Sequence, residues 1–195
     1  MKNTKLITMI EGAIIAGICM AISFIPLNTA NASFDISLGL IPLLVYALRR
    51  GLVPGMAAGL VWGILMIVLG RAWVLSLPQV ILEYPVAFAI GAFGGVFSGR
   101  LKKCLSLEGN SGLIVTVVLA AIVSATARWF IHFIAGLIFW VSYLPDVINL
   151  YWFEFTVTPY QFNAIANGAS AAVNAIVLAV VLAILVRSVK PMFKT

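Results

Sequence analysis

Long apolar blocks separated by short clusters of charge run the length of this 195-residue chain. A helix that crosses a bilayer needs roughly 20 apolar residues, and the charges mark off segments to measure against that length. Six spans are predicted, over residues 6–27, 36–48, 51–70, 76–98, 112–140 and 159–186. The fourth holds a single charge, Glu83, and the fifth carries Arg128 and His132. Thr158-Pro159 reads as an N-cap followed by proline at the first helical position, the opening expected of the sixth. The second is short: only 13 uncharged residues, Pro42 among them, separate Asp35 from Arg49. At about 1.5 Å per residue they fall well short of the bilayer core. The segment is retained as a helix because an even count puts both chain ends on one side and sorts the charges.

Lys2, Lys5, Arg49, Arg50, Arg100, Lys102, Lys103, Arg187, Lys190 and Lys194 then share one face, ten of the 12 basic residues. The positive-inside rule makes that face cytoplasmic. Asp35, Arg71, Asp146 and Glu154 fall on the other. Composition agrees, with 63% hydrophobic and 9% charged residues and a mean hydropathy of +1.14. Twelve basic and six acidic side chains are too few to cover a soluble globule, whereas lipid-facing helices need almost none. A soluble enzyme is excluded, and the net charge of +6 reports topology rather than a nucleic-acid patch. The expectation is a single all-α integral membrane domain over residues 1–195, a six-helix bundle with cytoplasmic termini.

Cys19 and Cys104 are far apart and form neither a disulfide framework nor a metal-ligand spacing. The first block resembles a signal peptide in having Lys2 and Lys5 ahead of it, but it contains Glu11 and no clean small-residue cleavage site, so it reads as a spanning helix. No nucleotide-binding loop or zinc motif is visible, and the chain is expected not to hydrolyse ATP itself. Gly55, Gly59 and Gly63 in the third span, and Gly91, Gly95 and Gly99 in the fourth, recur every four residues and predict flat faces for close helix approach. Ala13, Gly17 and Ala21 make a similar stripe on the first, facing either a neighbouring helix or another subunit.

Ionisable residues inside a span cost roughly 2.5–3.5 kcal/mol on insertion scales, so each should be paired or functional. Glu83 follows Gln79 by one turn, Arg128 and His132 share a stripe with Gly136 and Trp140, and Asn163, Asn167, Ser170 and Asn174 form a stripe on the last helix. All three stripes are most polar toward the outer surface, where Trp73, Tyr84, Trp140, Tyr143 and Tyr160 lie at the same depth. Such a set describes a pocket for a flat heteroaromatic cation, stacked on aromatic rings and balanced by a buried carboxylate. Plainer readings stand beside it: Glu83 and Arg128 as a buried ion pair joining two helices, His132 as a core histidine donating to a carbonyl, the asparagines as interhelical hydrogen-bonding groups. Tyr151 and Trp152 read as interfacial belt residues.

Leu82-Glu83-Tyr84 after Trp73, the run from Arg128 through His132 and Gly136 to Phe139-Trp140, and Asn167-Gly168 together resemble the ThiT family. So do Leu48-Arg49-Arg50-Gly51 and the glycine-rich helix through Trp62-Gly63. The family comprises thiamine-specific S components, the substrate-binding subunits of energy-coupling factor transporters. The resemblance implies a six-helix bundle in a prokaryotic plasma membrane and a thiamine pocket near the outer face, closed by the loop between helices one and two. It maps the pocket glutamate onto Glu83, its neighbouring tyrosine onto Tyr84, the histidine onto His132, the stacking tryptophan onto Trp140 and the asparagine onto Asn167. Arg128 stands where lysine is expected and Trp73 where tyrosine is, while Gly136 lies on the same wall. No tryptophan lies between helices one and two, so Phe34 is the candidate cover. Tyr160 or Asn163 takes the place of a displaced tyrosine before the asparagine.

The Ala13, Gly17, Ala21 stripe resembles the motif by which S components dock on a transmembrane coupling subunit, which works with two separate ATPases. ATP is thus a cofactor of the partners and not of this chain. Alternatives are an S component for thiamine phosphate or a pyrimidine precursor, which Arg128 suits through its fork, and an intramembrane enzyme using His132 and Glu83 as base and acid.

Overall fold

The computed structural model describes residues 4–25, 27, 34–106, 111–150 and 155–194. Six helices make the bundle: α1 (Thr4–Ile22), α2 (Leu40–Arg50), α3 (Leu52–Val68), α4 (Leu77–Ser106), α5 (Ser111–Ala135, prolonged by Gly136–Trp140 and Val141–Tyr143) and α6 (Pro159–Ser188). A short antiparallel hairpin, β1 (Ile148–Leu150) with β2 (Phe155–Val157), joins α5 to α6 and pairs Ile148 with Val157. This hairpin is the one departure from an all-helical reading among the described residues. Tyr151, Trp152 and Glu154 lie outside them.

Four helices, α1, α4, α5 and α6, are long and apolar enough to cross a membrane, and α3 is a shorter apolar helix. The predicted second span is corrected in length. It begins at Leu40 rather than residue 36 and has 11 residues, about 16 Å of helix against an apolar core of about 30 Å. Short as it is, α2 is the most enclosed helix, with Leu43, Leu44, Ala47 and Leu48 fully buried. It ends at Gly51, whose φ of 101° lies in the left-handed region that a side chain resists, and α3 starts at once. The first span also stops early, at Ile22, where Ser23 Oγ donates back to Cys19 O at 2.8 Å. The opening of α6 is as expected: Thr158 and Gln161 form a reciprocal capping box with Pro159 in the first turn.

Glycine faces bring α3 against α4. A Cβ on Gly59 would lie 2.3 Å from Phe88 O, and one on Gly63 would lie 2.5 Å from Tyr84 O, so the two backbones touch where side chains would hold them apart. Gly55 and Gly95 complete this seam against Ala47 and Leu52. Gly99 is a correction to the predicted stripe: a Cβ there meets nothing within 4 Å, because the helix turns Gly99 outward while Ser98 and Leu101 on either side of it are buried.

At one end of the bundle Glu11 of α1 accepts a fork from Arg50, Nε at 2.6 Å and Nη2 at 2.7 Å, with Arg49 Nη2 at 3.5 Å. Tyr46 Oη donates to Thr8 O alongside at 2.6 Å. Two of the basic topology residues are therefore also the anchor of α1 on α2, and Glu11 is explained as their counter-ion. Phe193, fully buried in the short turn Lys190–Phe193, packs beneath α2. The other end, above Leu40, is open.

Gly63→Val should part α3 from α4 and cost about 1–3 kcal/mol, as overpacking does, whereas Gly99→Ala should stay within about 0.5 kcal/mol. Thermal unfolding of the detergent-purified chain measures both, with a drop of several degrees expected for the first variant only.

Candidate functional site

The open end holds a cavity of about 850 Å³. Two irregular helical turns position its chemistry. In α4, Pro85 supplies no N–H to the helix ladder, and residues Leu82–Val86 widen into a π-helical turn. In α5 the same widening occurs over Gly136–Trp140. One extra residue per turn rotates the side chains that follow, and such turns recur at functional sites. Here the first carries Glu83 and Tyr84, the second Trp140. The two meet: Trp140 Nε1 donates to Glu83 Oε1 at 2.5 Å.

Glu83 is 9% exposed. Its other oxygen accepts a short hydrogen bond from Gln79 Nε2, and no ion pair reaches it among the described residues. The alternative reading of Glu83 and Arg128 as a buried ion pair is thus set aside. Arg128 turns toward the segment before α2, where Nη1 lies 3.4 Å from Asp35 Oδ2, and its guanidinium covers the Phe88 ring at 4.8 Å. Phe88 also stacks on Tyr84 and meets Trp62 edge-on, so an aromatic cluster forms the floor and carries the cation away from the carboxylate. The result is a buried carboxyl group facing open space.

Most sequence-predicted site residues line this one cavity: Glu83, Tyr84, Arg128, His132, Trp140, Asn163, Asn167, Gly136 and, at the rim, Trp73. His132 Nε2 is buried without a hydrogen-bond partner among the described residues. Gly136 is required by Asn163, whose Oδ1 would lie 1.9 Å from a Cβ there; Asn163 Nδ2 donates to Phe133 O at 3.1 Å and so ties α6 to α5. Asn167 gives its amide hydrogens to Asn163 O and Oδ1. Tyr84 Oη accepts from Trp73 N at 2.7 Å, which keeps the hydroxyl hydrogen for another acceptor. Two predicted residues are not in the lining. Tyr160 is 63% exposed in the first turn of α6, one turn before Asn163, and Phe34 is half-buried just ahead of the lining residue Asp35.

The sequence reading missed how the segment 35–37 is held. Asn174 Nδ2 donates to Asp35 O at 2.7 Å, Asn174 Oδ1 accepts from Ser37 N at 2.8 Å, and Ser170 Oγ accepts from Asp35 N at 3.1 Å. Two side chains of α6 thereby do what a neighbouring strand would do, clamping the backbone over the cavity. The polar stripe of α6 was visible as a pattern, but its partner lies more than 130 positions away. Asp35, read only as an outer charge, proves to be a wall residue.

A membrane-embedded helix bundle with a solute-sized, aromatic and polar cavity at one end is the class of protein that this arrangement defines, a multi-pass carrier of the cell membrane. The family model described as thiamine transporter protein (Thia_YuaJ) matches residues 9–194, and the chain belongs to that family of transporters. It is 34% identical to thiamine transporter ThiT of Lacticaseibacillus paracasei, covering 98% of this chain and 92% of that protein, and 26% identical to ThiT of Bacillus subtilis over 91% of each. A solved structure of ThiT from Listeria monocytogenes superposes with a TM-score of 0.88 at 36% identity, covering 99% of this chain and 100% of the other. The relatives are named for transport, not for catalysis, which sets aside the intramembrane-enzyme alternative.

Asn174→Leu removes two hydrogen bonds from the clamp, each worth about 1 kcal/mol, and leaves α6 apolar and intact. Deuterium uptake in the segment around residues 35–37 should rise roughly tenfold or more with α6 unchanged, read by mass spectrometry of the purified chain.

Proposed function

We propose that this chain captures thiamine in the cavity and serves as the S component of an energy-coupling factor importer. The uncompensated Glu83 carboxylate carries the reading, since it sits among aromatic side chains in a space within the range of about 300–1,000 Å³ usual for small-molecule sites. Thiamine offers the complement, a thiazolium cation joined to a flat aminopyrimidine. Glu83 balances the charge, Trp140 and His132 stack on the rings, Tyr84 donates its hydroxyl hydrogen, and the Asn167 carbonyl oxygen accepts from the pyrimidine amine. Asp35 already engages Arg128, which favours thiamine over its phosphate; comparing titrations with thiamine and its monophosphate separates the two ligands.

Both termini are assigned to the cytosol, with the cavity opening outward. Supporting this is the clustering of Arg49, Arg50 and the basic C-terminal helix end away from the cavity, as the positive-inside rule requires. Ala13, Gly17 and Ala21 are all exposed on α1, and a Cβ at Gly17 meets nothing within 4 Å. That flat strip is assigned to docking on a separate transmembrane coupling subunit with two ATPases, whose ATP hydrolysis reorients the bundle for inward release.

Glu83→Gln should weaken thiamine binding roughly 10- to 100-fold, the worth of a charged hydrogen-bonding partner, in a tryptophan-quenching titration; affinity equal to the parent overturns the charge assignment. Gly17→Leu should leave that titration unchanged and abolish uptake in cells that express the coupling subunit and ATPases. Uptake at the parental rate removes the docking assignment without touching the ligand assignment.

A further inference from the structure

Gln79 is fully buried, and both ends of its side-chain amide are hydrogen-bonded. Nε2 donates to Glu83 Oε2 and, at 3.1 Å, to Trp73 O, while Oε1 accepts from Leu75 N at 2.9 Å. Its backbone N–H donates to the N-cap hydroxyl of Ser76, and Oε1 takes up the N–H of Leu75 just ahead of that cap, so the opening of the helix accounts for the backbone and for Oε1 but not for the nitrogen. Glutamate is equally suited to the cap at this third helical position, yet it would set a second carboxylate against Glu83. What glutamine adds is the donor.

We propose that Gln79 is the positioning residue of the charge-recognition site, holding the Glu83 carboxylate in the bearing that a ligand cation meets and coupling it to the rim loop through Trp73 and Leu75. The proposal rests on the reading that Glu83 faces a cation. Trp140 fixes one carboxylate oxygen from α5, and Gln79 fixes the other from the preceding turn of α4. With Gln79 gone, the carboxylate pivots on Trp140 alone, and the loop that carries Trp73 loses two of its backbone attachments. Shape recognition of an uncharged ligand depends on neither oxygen's direction, so the loss should fall on cations.

The test uses the detergent-purified full chain with Gln79→Met, titrated with thiamine and with a neutral analogue bearing thiophene in place of the thiazolium ring, and Glu83→Gln in parallel. The expected result is at least tenfold weaker thiamine binding for the methionine variant with less than a threefold change for the neutral analogue. Equal losses for both ligands, or thiamine affinity within threefold of the parent, overturn the proposal. If Glu83→Gln keeps the parental preference for the cation, the reading of Glu83 fails and this proposal with it; if it loses that preference while Gln79→Met retains it, only Gln79 is misassigned. Should the methionine variant not fold, the unmutated chain still decides. Gln79 and Gln161 are its two glutamines, so side-chain 15N-glutamine labelling gives two amide signals. Thiamine should shift the Gln79 signal and not that of Gln161, and an unmoved Gln79 signal overturns the proposal.

Discussion

A carboxylate held inside an apolar bundle with no cation beside it is the constraint around which this protein is organised. Insertion of such a charge costs roughly 2.5–3.5 kcal/mol, and each charge-assisted hydrogen bond returns about 1.5–3 kcal/mol. The bonds from Gln79 and Trp140 to Glu83 therefore suffice to keep the group in place, but they do not cancel its field. The field is left to the cavity because the two guanidinium groups in its lining are engaged elsewhere, Arg128 with Asp35 and the face of Phe88, Arg71 with the face of Phe24. Separating these opposite charges costs stability that a direct pair would have supplied, and the separation is what gives the cavity a sign.

Holding the carboxylate depends in turn on helix packing at a distance from it. Trp140 and Glu83 approach because each sits on a widened turn, and the turn in α4 is braced from behind by Gly63, which lets α3 lie directly on the backbone of Tyr84 and Pro85. Gly136 does the same service on α5 by admitting the Asn163 amide from α6. Glycine thus appears at the two places where a widened turn needs support, and the polar groups it admits or exposes are those that line the cavity.

Much of this was legible before any coordinates. The six apolar blocks, the cap at Thr158-Pro159 and the three polar stripes follow from periodicity, which a helix imposes on its own sequence. Gly59 and Gly63 were readable as a contact face for the same reason. What periodicity cannot encode is which stripe meets which. Two intramembrane charges such as Arg128 and Glu83 admit a direct pair by sequence alone, whereas the choice between Glu83 and Asp35 is made by helix placement and by the Phe88 ring. The clamp of Asn174 on residues 35–37 is of the same kind. Pro85 was a visible signal for an irregular turn in α4, and Gly136 a weaker one in α5. Nothing local marked the start of α2 at Leu40 or the hairpin at 148–157.

The length of α2 ties these observations together. Four of its neighbours are long enough to cross an apolar core about 30 Å thick, while the 11 residues of α2 cover about 16 Å, leaving about 14 Å with no helix in the centre. A helix about 10 Å across would fill roughly 1,100 Å³ over that depth, close to the cavity's 850 Å³. The cavity is in this sense the missing half of α2. Residues from α3, α4, α5 and α6 line the space instead, without any one helix being strongly polar. The chain that replaces the absent turns, residues 35–39, feeds the carbonyls of Ser37, Leu38 and Gly39 into the start of α2 but needs other partners for the rest of its backbone. Ser170, Asn174 and Arg128 take up Asp35 and Ser37 and Cys19 donates to Gly39 O, so the segment spans the space as a roof hung from its walls.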